Sequence, residues 1–267
     1  SDCRPVTAYP SLKIMQIDIQ LLPAIARDAG NAIMGIYNDP AKSGEVESKA
    51  DDSPLTLADK ASHEVIVAAL ARHFPGIPVL SEEGRNIPFE ERKTWHTYWC
   101  VDPLDGTKEF VKRNGEFTVN IALIRDRKPV MGVIHVPVTG VTYYADQAGG
   151  AWKTNAQGDA VRLQTSHAAA GWTAVGSRSH GSPEEAAVLA RYPVSNQVSV
   201  GSSIKFCFIA EGHAHIYFRQ GPTMEWDTAA GQAILECSGG KMTTASGEPF
   251  LYNKESLLNG SFLCLCQ

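Results

Sequence analysis

The chain has 267 residues, of which 43% are hydrophobic and 20% are charged, and its formal net charge is -5. This ordinary globular composition excludes a disordered or fibrous protein, and the length predicts a compact body with two lobes. Basic and acidic residues are interspersed, which excludes a broad basic surface for a nucleic acid polymer. The sequence contains no uninterrupted apolar run of about 18 residues, so no integral membrane segment is predicted. The six cysteines have no CxxC spacing, which predicts reduced thiols and a cytoplasmic protein.

Two helices are predicted in the first third of the chain. Apolar residues recur at helical spacing from 17 to 37. The stretch 38–54 is rich in Asp, Lys, Ser, Gly and Pro, and it predicts a loop. A second amphipathic helix is predicted from Leu57 to Phe74, with Thr56 as its N-cap and Asp59 in its first turn.

Strands are predicted next, from residue 78 onward. A short apolar strand over 78–84 carries Glu82 at its end. The apolar run before Asp102 predicts the end of a buried strand, which delivers Asp102 and Asp105 into a Pro/Gly turn. Alternating β-rich segments then predict an antiparallel meander, with strands at 117–124, 128–138 and 141–145 and turns at 126–127 and 139–140.

Beyond Gly171 the pattern becomes an alternation of strands and helices, which is typical of α/β organisation. The predicted elements are strand 172–177, helix 183–191, strand 194–200, helix 203–211, strand 214–218 and helix 226–237. We place a boundary near residue 168. It divides the chain into an N-terminal α+β lobe (15–168) with a metal site and a C-terminal α/β lobe (169–267) that contributes Asp227 and substrate contacts.

Acidic residues stand at the ends of several predicted elements: Asp59, Glu82, Asp102, Asp105 and Asp227. Each acid alone is most simply a solvated cap. The turn from Asp102 to Thr107 is more specific, because two Asp and one Thr follow a buried strand. Two carboxylates about 4 Å apart repel by roughly 4 kcal/mol at an effective dielectric near 20, a cost that a divalent cation reverses. Hard oxygen ligands of this kind favour Mg²⁺.

Other common site signatures are missing from the sequence. It contains no HExxH zinc motif, no GxSxG nucleophile elbow, and neither a Walker A nor a GxGxxG phosphate loop. A magnesium and phosphate site therefore remains the chemistry that the motifs favour.

Three segments resemble the signatures of the inositol monophosphatase superfamily of Mg²⁺-dependent, lithium-sensitive phosphatases. They are Leu80-Ser81-Glu82-Glu83, Asp102-Pro103-Leu104-Asp105-Gly106-Thr107 and Trp226-Asp227-Thr228-Ala229-Ala230-Gly231. Further segments are similar to the 3'(2'),5'-bisphosphate nucleotidase branch, especially its bacterial members; they span 52–56, 107–110, 112–123 and 201–206. The resemblance implies a layered αβαβα sandwich with two lobes, α+β or α/β in class.

The resemblance also implies a metal centre of two or three Mg²⁺ ions. Glu82, Asp102 and the Leu104 carbonyl would hold one ion, and Asp102, Asp105 and Asp227 would hold a second. Two metals about 3.5 to 4 Å apart can activate a water and stabilise the leaving oxygen of an in-line displacement.

The remaining site residues are assigned partly by the resemblance and partly by local physics. By resemblance, Asp59 and Thr107 would orient and deprotonate the attacking water. The backbone N–H groups of Gly106 and Thr107 would receive phosphate oxygens if they open a helix. Ser202, Ser203 and Lys205 are candidates for a second phosphate or the ribose, with Arg178, His180 and Arg219 as weaker candidates.

The implied activity is removal of the 3'-phosphate of adenosine 3',5'-bisphosphate, a nucleotide left by sulfate-activation chemistry, to give AMP and phosphate. One alternative is an inositol monophosphatase-like sugar phosphatase, and another is a non-catalytic nucleotide- or metal-binding module. The expected partner is a small-molecule nucleotide, and the sequence does not indicate the oligomeric state. For the bacterial branch, the resemblance implies that the protein can attach peripherally to the cytoplasmic face of the inner membrane. The sequence itself predicts no amphipathic basic helix that would support such attachment.

Overall fold

The computed structural model of the protein describes residues 17–39, 53–177 and 182–266. Most of the predicted loop over 38–54, together with Arg178 and His180, lies outside the described residues. The helices of the described parts are α1 (Leu21–Tyr37), α2 (Pro54–His73), α3 (Phe89–Arg92), α4 (Thr107–Val111), α5 (Pro183–Leu189), α6 (Ile204–Ala210) and α7 (Glu225–Cys237). The strands are β1 (Val79–Ser81), β2 (Thr97–Asp105), β3 (Thr118–Arg125), β4 (Lys128–Val136), β5 (Val141–Asp146), β6 (Gly150–Thr154), β7 (Ala160–Arg162), β8 (Trp172–Ser177), β9 (Val194–Val200), β10 (Ile216–Arg219), β11 (Thr223–Met224), β12 (Lys241–Thr244), β13 (Leu258–Asn259) and β14 (Phe262–Leu265).

The first sheet has seven strands in sequence order, from β1 to β7. β1 runs parallel to β2, and each later strand is antiparallel to the one before it. The predicted meander is therefore confirmed, and it continues through β6 and β7, which the sequence analysis did not predict. Asp126 and Arg127 both have positive φ, as a tight hairpin between β3 and β4 requires.

Alternating side chains of the first sheet bury two separate cores. On β3, Val119, Ile121 and Leu123 pack in the core formed with α1 and α2. Ala122 and Ile124 point to the opposite core, which includes α6 and α7. Because α6 and α7 also contact the second sheet and α5 contacts its outer side, the layers follow the order helix, sheet, helix, sheet, helix. The predicted layered α/β fold is confirmed.

The second sheet is mixed, with strand order β12-β14-β10-β8-β9. Strands β8, β9 and β10 are parallel, as the alternating pattern predicted, but β14 is antiparallel to both of its neighbours. The predicted alternation of strands and helices is therefore confirmed up to α7, and the antiparallel strands β12 and β14 follow the last element of that alternation. The lobe boundary near 168 stays a prediction: it falls between β7 and β8, while α7 contacts both sheets.

Helix α2 begins earlier than the sequence analysis predicted. Ser53, rather than Thr56, is the N-cap, and its hydroxyl accepts from the Thr56 backbone N–H at 3.2 Å. Pro54 is compatible with the first helical position because the backbone N–H that proline lacks would have no intrahelical acceptor there. Asp59 consequently lies in the second turn and not in the first.

Helix α1 depends on a glycine at its contact with the first sheet. A methyl group at Gly30 would stand 2.5 Å from Cδ2 of the buried His135 ring, whereas Gly35 on the same helix is exposed with open space around it. Gly30→Ala is expected to lower the free energy of unfolding by about 1–3 kcal/mol through overpacking. Gly35→Ala, the matched control, should raise it by about 0.5–1 kcal/mol because alanine favours the helix. Urea denaturation of both variants measures this difference, and equal stabilisation by both would contradict the packing.

Candidate functional site

The acidic turn is built as a bulge in β2. Asp102 pairs with Asn120 and Asp105 pairs with Thr118, so β2 accommodates one residue more than β3 between these pairs. The prediction that the strand ends before Asp102 was wrong, because pairing with β3 continues to Asp105. Gly106 then takes φ +93 and opens α4 at Thr107, as the helix-opening prediction required.

The bulge is fixed by hydrogen bonds from both sides. The Ser62 hydroxyl on α2 donates to the Pro103 carbonyl oxygen at 2.7 Å. The Leu104 backbone N–H donates to Oδ1 of Asp102 at 3.1 Å. The Asp102 carboxylate, which is only 1% exposed, is therefore held by its own turn before any ligand arrives.

The predicted acidic residues gather around Asp102. Burial raises the pKa of Asp102 well above its usual range, and the negative charges of Glu82, Asp105, Asp227 and Asp59 raise it further. Burial, followed by the charge of Asp105, also raises the pKa of Asp227 to about 7, although hydrogen bonding to the Met224 N–H and to Asp102 acts in the opposite direction. Acids from α2, the end of β1, β2 and α7 thus share one electrostatic environment.

Asp105 links this cluster to the second half of the chain. The Ser203 backbone N–H donates to Oδ2 of Asp105 at 2.6 Å, and Nδ2 of Asn120 approaches the same oxygen at 3.4 Å. The Ser203 hydroxyl donates to Oδ1 of Asn120 and lies 2.8 Å from the Thr118 hydroxyl. Ser203, a predicted substrate contact, is 2% exposed and is part of the hydrogen-bonded support beneath Asp105.

Sequence reasoning missed two buried polar residues that support the site. Asn120 alternates with the apolar residues of β3 and carries no motif of its own. Glu225 begins α7 and is fully buried; its carboxylate accepts from the backbone N–H groups of Asn253 and Lys254 and pairs with the Lys254 ammonium at 2.7 Å. The Met224 N–H in turn donates to Oδ2 of Asp227 at 2.8 Å, which sets that carboxylate at the start of the helix.

A pocket extends from the acidic cluster toward the carboxyl ends of β8 and β10. Asp105, Gly106 and Asp227 line one end, and the remaining walls include Ser202, Ser203, Lys205, Tyr217 and Arg219. Ligands commonly bind at the carboxyl ends of parallel strands in α/β sheets. The predicted contacts Ser202, Ser203, Lys205 and Arg219 therefore lie together with two of the predicted metal ligands.

The buried cation Lys205 balances part of the acidic charge. Its ammonium donates to the carbonyl oxygens of Val200 and Ser202 at 3.3 and 2.5 Å. Burial lowers the pKa of Lys205 to about 8, although the charge of Asp105 acts in the opposite direction. Conversely, the charge of Lys205 opposes the rise that burial causes in the pKa of Asp105.

The donor chemistry of the cluster fits a divalent cation. Its side chains offer carboxylate oxygens in a buried environment that disfavours their negative charge, which is the combination that a hard cation relieves. Within the described ranges, however, no group of three or more Asp, Glu, His or Cys side chains already has the spacing of a metal site. Binding would therefore draw the carboxylates closer together than they stand here.

In the part of the chain that the structure describes, no helix has the length and apolar character to cross a bilayer.

Comparisons with known proteins agree with this architecture. The 3'(2'),5'-bisphosphate nucleotidase CysQ of Salmonella typhimurium is 49% identical over 239 residues, which cover 89% of this chain and 95% of the relative. The crystal structure of CysQ from Bacteroides thetaiotaomicron, a bacterial member of the inositol monophosphatase family, superposes with a TM-score of 0.84 at 45% identity, covering 92% of this chain and 97% of that one. An inositol monophosphatase from Anabaena shares the fold at a TM-score of 0.74 and 23% identity, with 92% and 89% covered.

The family assignment rests on nearly the whole chain. Residues 16–263 match the inositol monophosphatase family, and this range contains every predicted acidic residue of the site and all strands except the last two residues of β14. The resemblance stated from the three sequence segments is confirmed. The chain belongs to the inositol monophosphatase family.

Proposed function

We propose that this protein is a Mg²⁺-dependent 3'(2'),5'-bisphosphate nucleotidase that removes the 3'-phosphate of adenosine 3',5'-bisphosphate to give AMP and phosphate. The observation that carries the proposal is the joining of a buried acidic cluster to a pocket that also contains two buried cations, Lys205 and Arg219. The acidic cluster, once it holds Mg²⁺, would suit the phosphate that is cleaved. The part of the pocket that contains Lys205 and Arg219 would suit a second anionic group. The names of the CysQ relatives support the same substrate class.

The metal ligands in this proposal are Glu82, Asp102, the Leu104 carbonyl, Asp105 and Asp227, and they would hold two or three Mg²⁺ ions. When bound, such ions lower the pKa of a coordinated water and neutralise charge on the phosphoryl oxygens. The protein supplies the orientation of the ligands. Backbone N–H groups of Leu104, Ser203 and Met224 each hold one carboxylate, on Asp102, Asp105 and Asp227 respectively.

We assign the attacking water to Asp59 and Thr107. Asp59 is 1% exposed on α2, and its charge acts on Asp102, so it borders the cluster from the helical layer. Thr107 is the first residue of α4, directly after Gly106. Asp59 would accept a proton through the Thr107 hydroxyl, while the backbone N–H groups of Gly106 and Thr107 would bind phosphate oxygens.

Gly106 is also required by crowding. A methyl group there would stand 3.1 Å from the Ser202 Cβ and 3.2 Å from both the Glu116 carbonyl oxygen and the Phe117 Cα, at a φ of +93 that other residues rarely adopt. Glycine at this position therefore lets the turn before α4 pack closely against the Ser202 and 116–117 segments.

The proposal is tested by phosphate release from purified protein with Mg²⁺. Adenosine 3',5'-bisphosphate is expected to be hydrolysed much faster than inositol 1-phosphate, and a chelator should abolish the activity. Faster hydrolysis of inositol 1-phosphate would instead favour a sugar phosphatase, and tight nucleotide binding without any product would favour a binding module. Inhibition by Li⁺, a role in sulfate assimilation and a cytoplasmic location belong to the same proposal.

A further inference from the structure

One face of α2 carries three polar side chains that lie against the segments of the acidic cluster. Ser62 and His63 follow Asp59 by three and four positions, which places all three on the same side of the helix. The charge of Asp59 acts on Asp102, and the Ser62 hydroxyl donates to the Pro103 carbonyl oxygen in the bulge of β2. His63 reaches a different part of the cluster, which is the end of β1.

His63 contacts the residue that precedes Glu82. Its Nδ1 lies 2.9 Å from the Ser81 hydroxyl, which is hydrogen-bond distance. Ser81 is the last residue of β1 and is 6% exposed. The hydrogen bond therefore ties α2 to the strand end from which Glu82 extends.

β1 alone gives little support to a metal ligand. It has three residues, lies at the edge of the first sheet and is paired only with β2 among the described strands. Beyond its last residue, the Glu82 N–H donates to the Val101 carbonyl oxygen at 3.2 Å, and the Gly84 N–H donates to the Ser81 carbonyl oxygen at 3.1 Å. Short segments with few contacts open locally at a small cost in free energy, so a side-chain hydrogen bond to a long helix restricts this strand end.

His63 acts on this strand end as a neutral group. Burial lowers the pKa of His63, although the charges of Glu83 and Glu64 act in the opposite direction. The ring is therefore uncharged at pH 7. What His63 supplies to Ser81 is a hydrogen bond of fixed position and not a charge.

We propose that His63 is a positioning residue of the metal centre, which through Ser81 holds Glu82 at the spacing from Asp102 that a shared ion requires. This inference rests on the metal site of the proposed function. Because Ser62 holds the bulge after Asp102 and His63 holds the strand end before Glu82, two consecutive residues of α2 fix both ligand segments. Loss of an outer residue that orients metal ligands typically lowers metal affinity or activity by about 10- to 100-fold.

The first test is the Mg²⁺ concentration that gives half of the maximal rate of phosphate release from adenosine 3',5'-bisphosphate. His63→Ala is expected to raise this concentration by about 10-fold, while most of kcat returns at saturating Mg²⁺. His63→Asn should recover most of the shift, because its amide can replace Nδ1 of the ring as a hydrogen-bonding partner of Ser81. His73→Ala, at the exposed end of the same helix, is the matched control and should keep the wild-type value.

Mn²⁺ binding in the absence of substrate gives a second readout, because the EPR signal of the free ion measures affinity independently of turnover. Wild type should bind Mn²⁺ about 10-fold more tightly than His63→Ala or Ser81→Ala. The double variant should bind no more weakly than either single variant, because both substitutions remove the same hydrogen bond.

The outcomes separate this inference from the function on which it rests. Unchanged Mg²⁺ dependence and Mn²⁺ affinity in His63→Ala, an equal loss of rate at every Mg²⁺ concentration, or additive losses in the double variant would overturn the positioning role. If wild type releases no phosphate from the nucleotide but His63→Ala still weakens Mn²⁺ binding, the nucleotidase assignment fails and the positioning role stands. Should His63→Ala not fold, Ser81→Ala removes the same hydrogen bond and gives the same comparison.

Discussion

Replacing Asp102 with asparagine is expected to lower kcat by more than about 100-fold while leaving the fold intact. The reason is that changing a direct metal ligand should lower activity more than changing a residue that only orients a ligand. The substitution keeps the shape of the side chain, and the amide oxygen can still accept from the Leu104 N–H. What it removes is the negative charge at the centre of the acidic cluster. Phosphate release measured across a series of Mg²⁺ concentrations checks the expectation.

Although Asp102→Asn should lower kcat, it should maintain or increase the stability of the fold when metal is absent. The folded protein raises the pKa of Asp102, so its ionised form destabilises the fold, and this penalty grows as the pH rises above the usual range of an aspartate. In chelator at neutral pH, Asp102→Asn should therefore unfold at the same or a higher urea concentration than wild type. Asp126→Asn is the control, because Asp126 is an exposed turn residue paired with His96 outside the site. Wild-type turnover in Asp102→Asn, or a large loss of stability, would contradict the account.

Truncation of Glu225 to alanine is expected to lower the free energy of unfolding by about 3–5 kcal/mol, because it leaves the Lys254 ammonium without its charge partner. Glu225 is fully buried, and its carboxylate binds the 253–254 backbone as well as the Lys254 side chain. Tyr98 also donates to it at 3.4 Å. Urea denaturation gives the magnitude.

An exposed ion pair provides the control for the loss of stability expected in Glu225→Ala. Lys93 and Glu90 lie three residues apart with side chains that are 46% and 78% exposed. Lys93→Ala should therefore cost no more than about 1 kcal/mol, since exposed pairs contribute little. If Glu225→Ala and Lys93→Ala cost the same, Glu225 does not hold the start of α7, and the positioning of Asp227 needs another explanation.

The sequence predicted the elements whose patterns are long and regular. The alternation in β3 to β5 and the helical spacing of α1 were strong because each side chain faces one consistent environment. The start of α2 was misplaced because both Ser53 and Thr56 are good caps, and only the hydrogen bond from the Thr56 N–H to Ser53 distinguishes them. The bulge at Pro103 and Leu104 looked like a strand end because its pairing partner on β3 is remote in sequence.

The acidic residues of the candidate site were predicted from the sequence, and the polar residues that support them were not. Acidic residues at element ends were visible as motifs, and the structure brings Asp59, Glu82, Asp102, Asp105 and Asp227 into one environment. Asn120 and Glu225 were not predicted because nothing local distinguishes a buried polar residue from an exposed one. The engagement of the Lys205 ammonium by the carbonyl oxygens of Val200 and Ser202 is likewise a property of the folded chain.

The account depends on Glu82, Asp102, Asp105 and Asp227 sharing metal ions. The most direct measurement is anomalous diffraction from crystals grown with Mn²⁺ in place of Mg²⁺, together with phosphate. We expect at least two Mn²⁺ peaks among these four carboxylates, with the phosphate beside Gly106 and Thr107, and loss of the peaks in Asp102→Asn. Mn²⁺ bound only elsewhere on the protein, or an unchanged set of peaks in Asp102→Asn, would contradict the account.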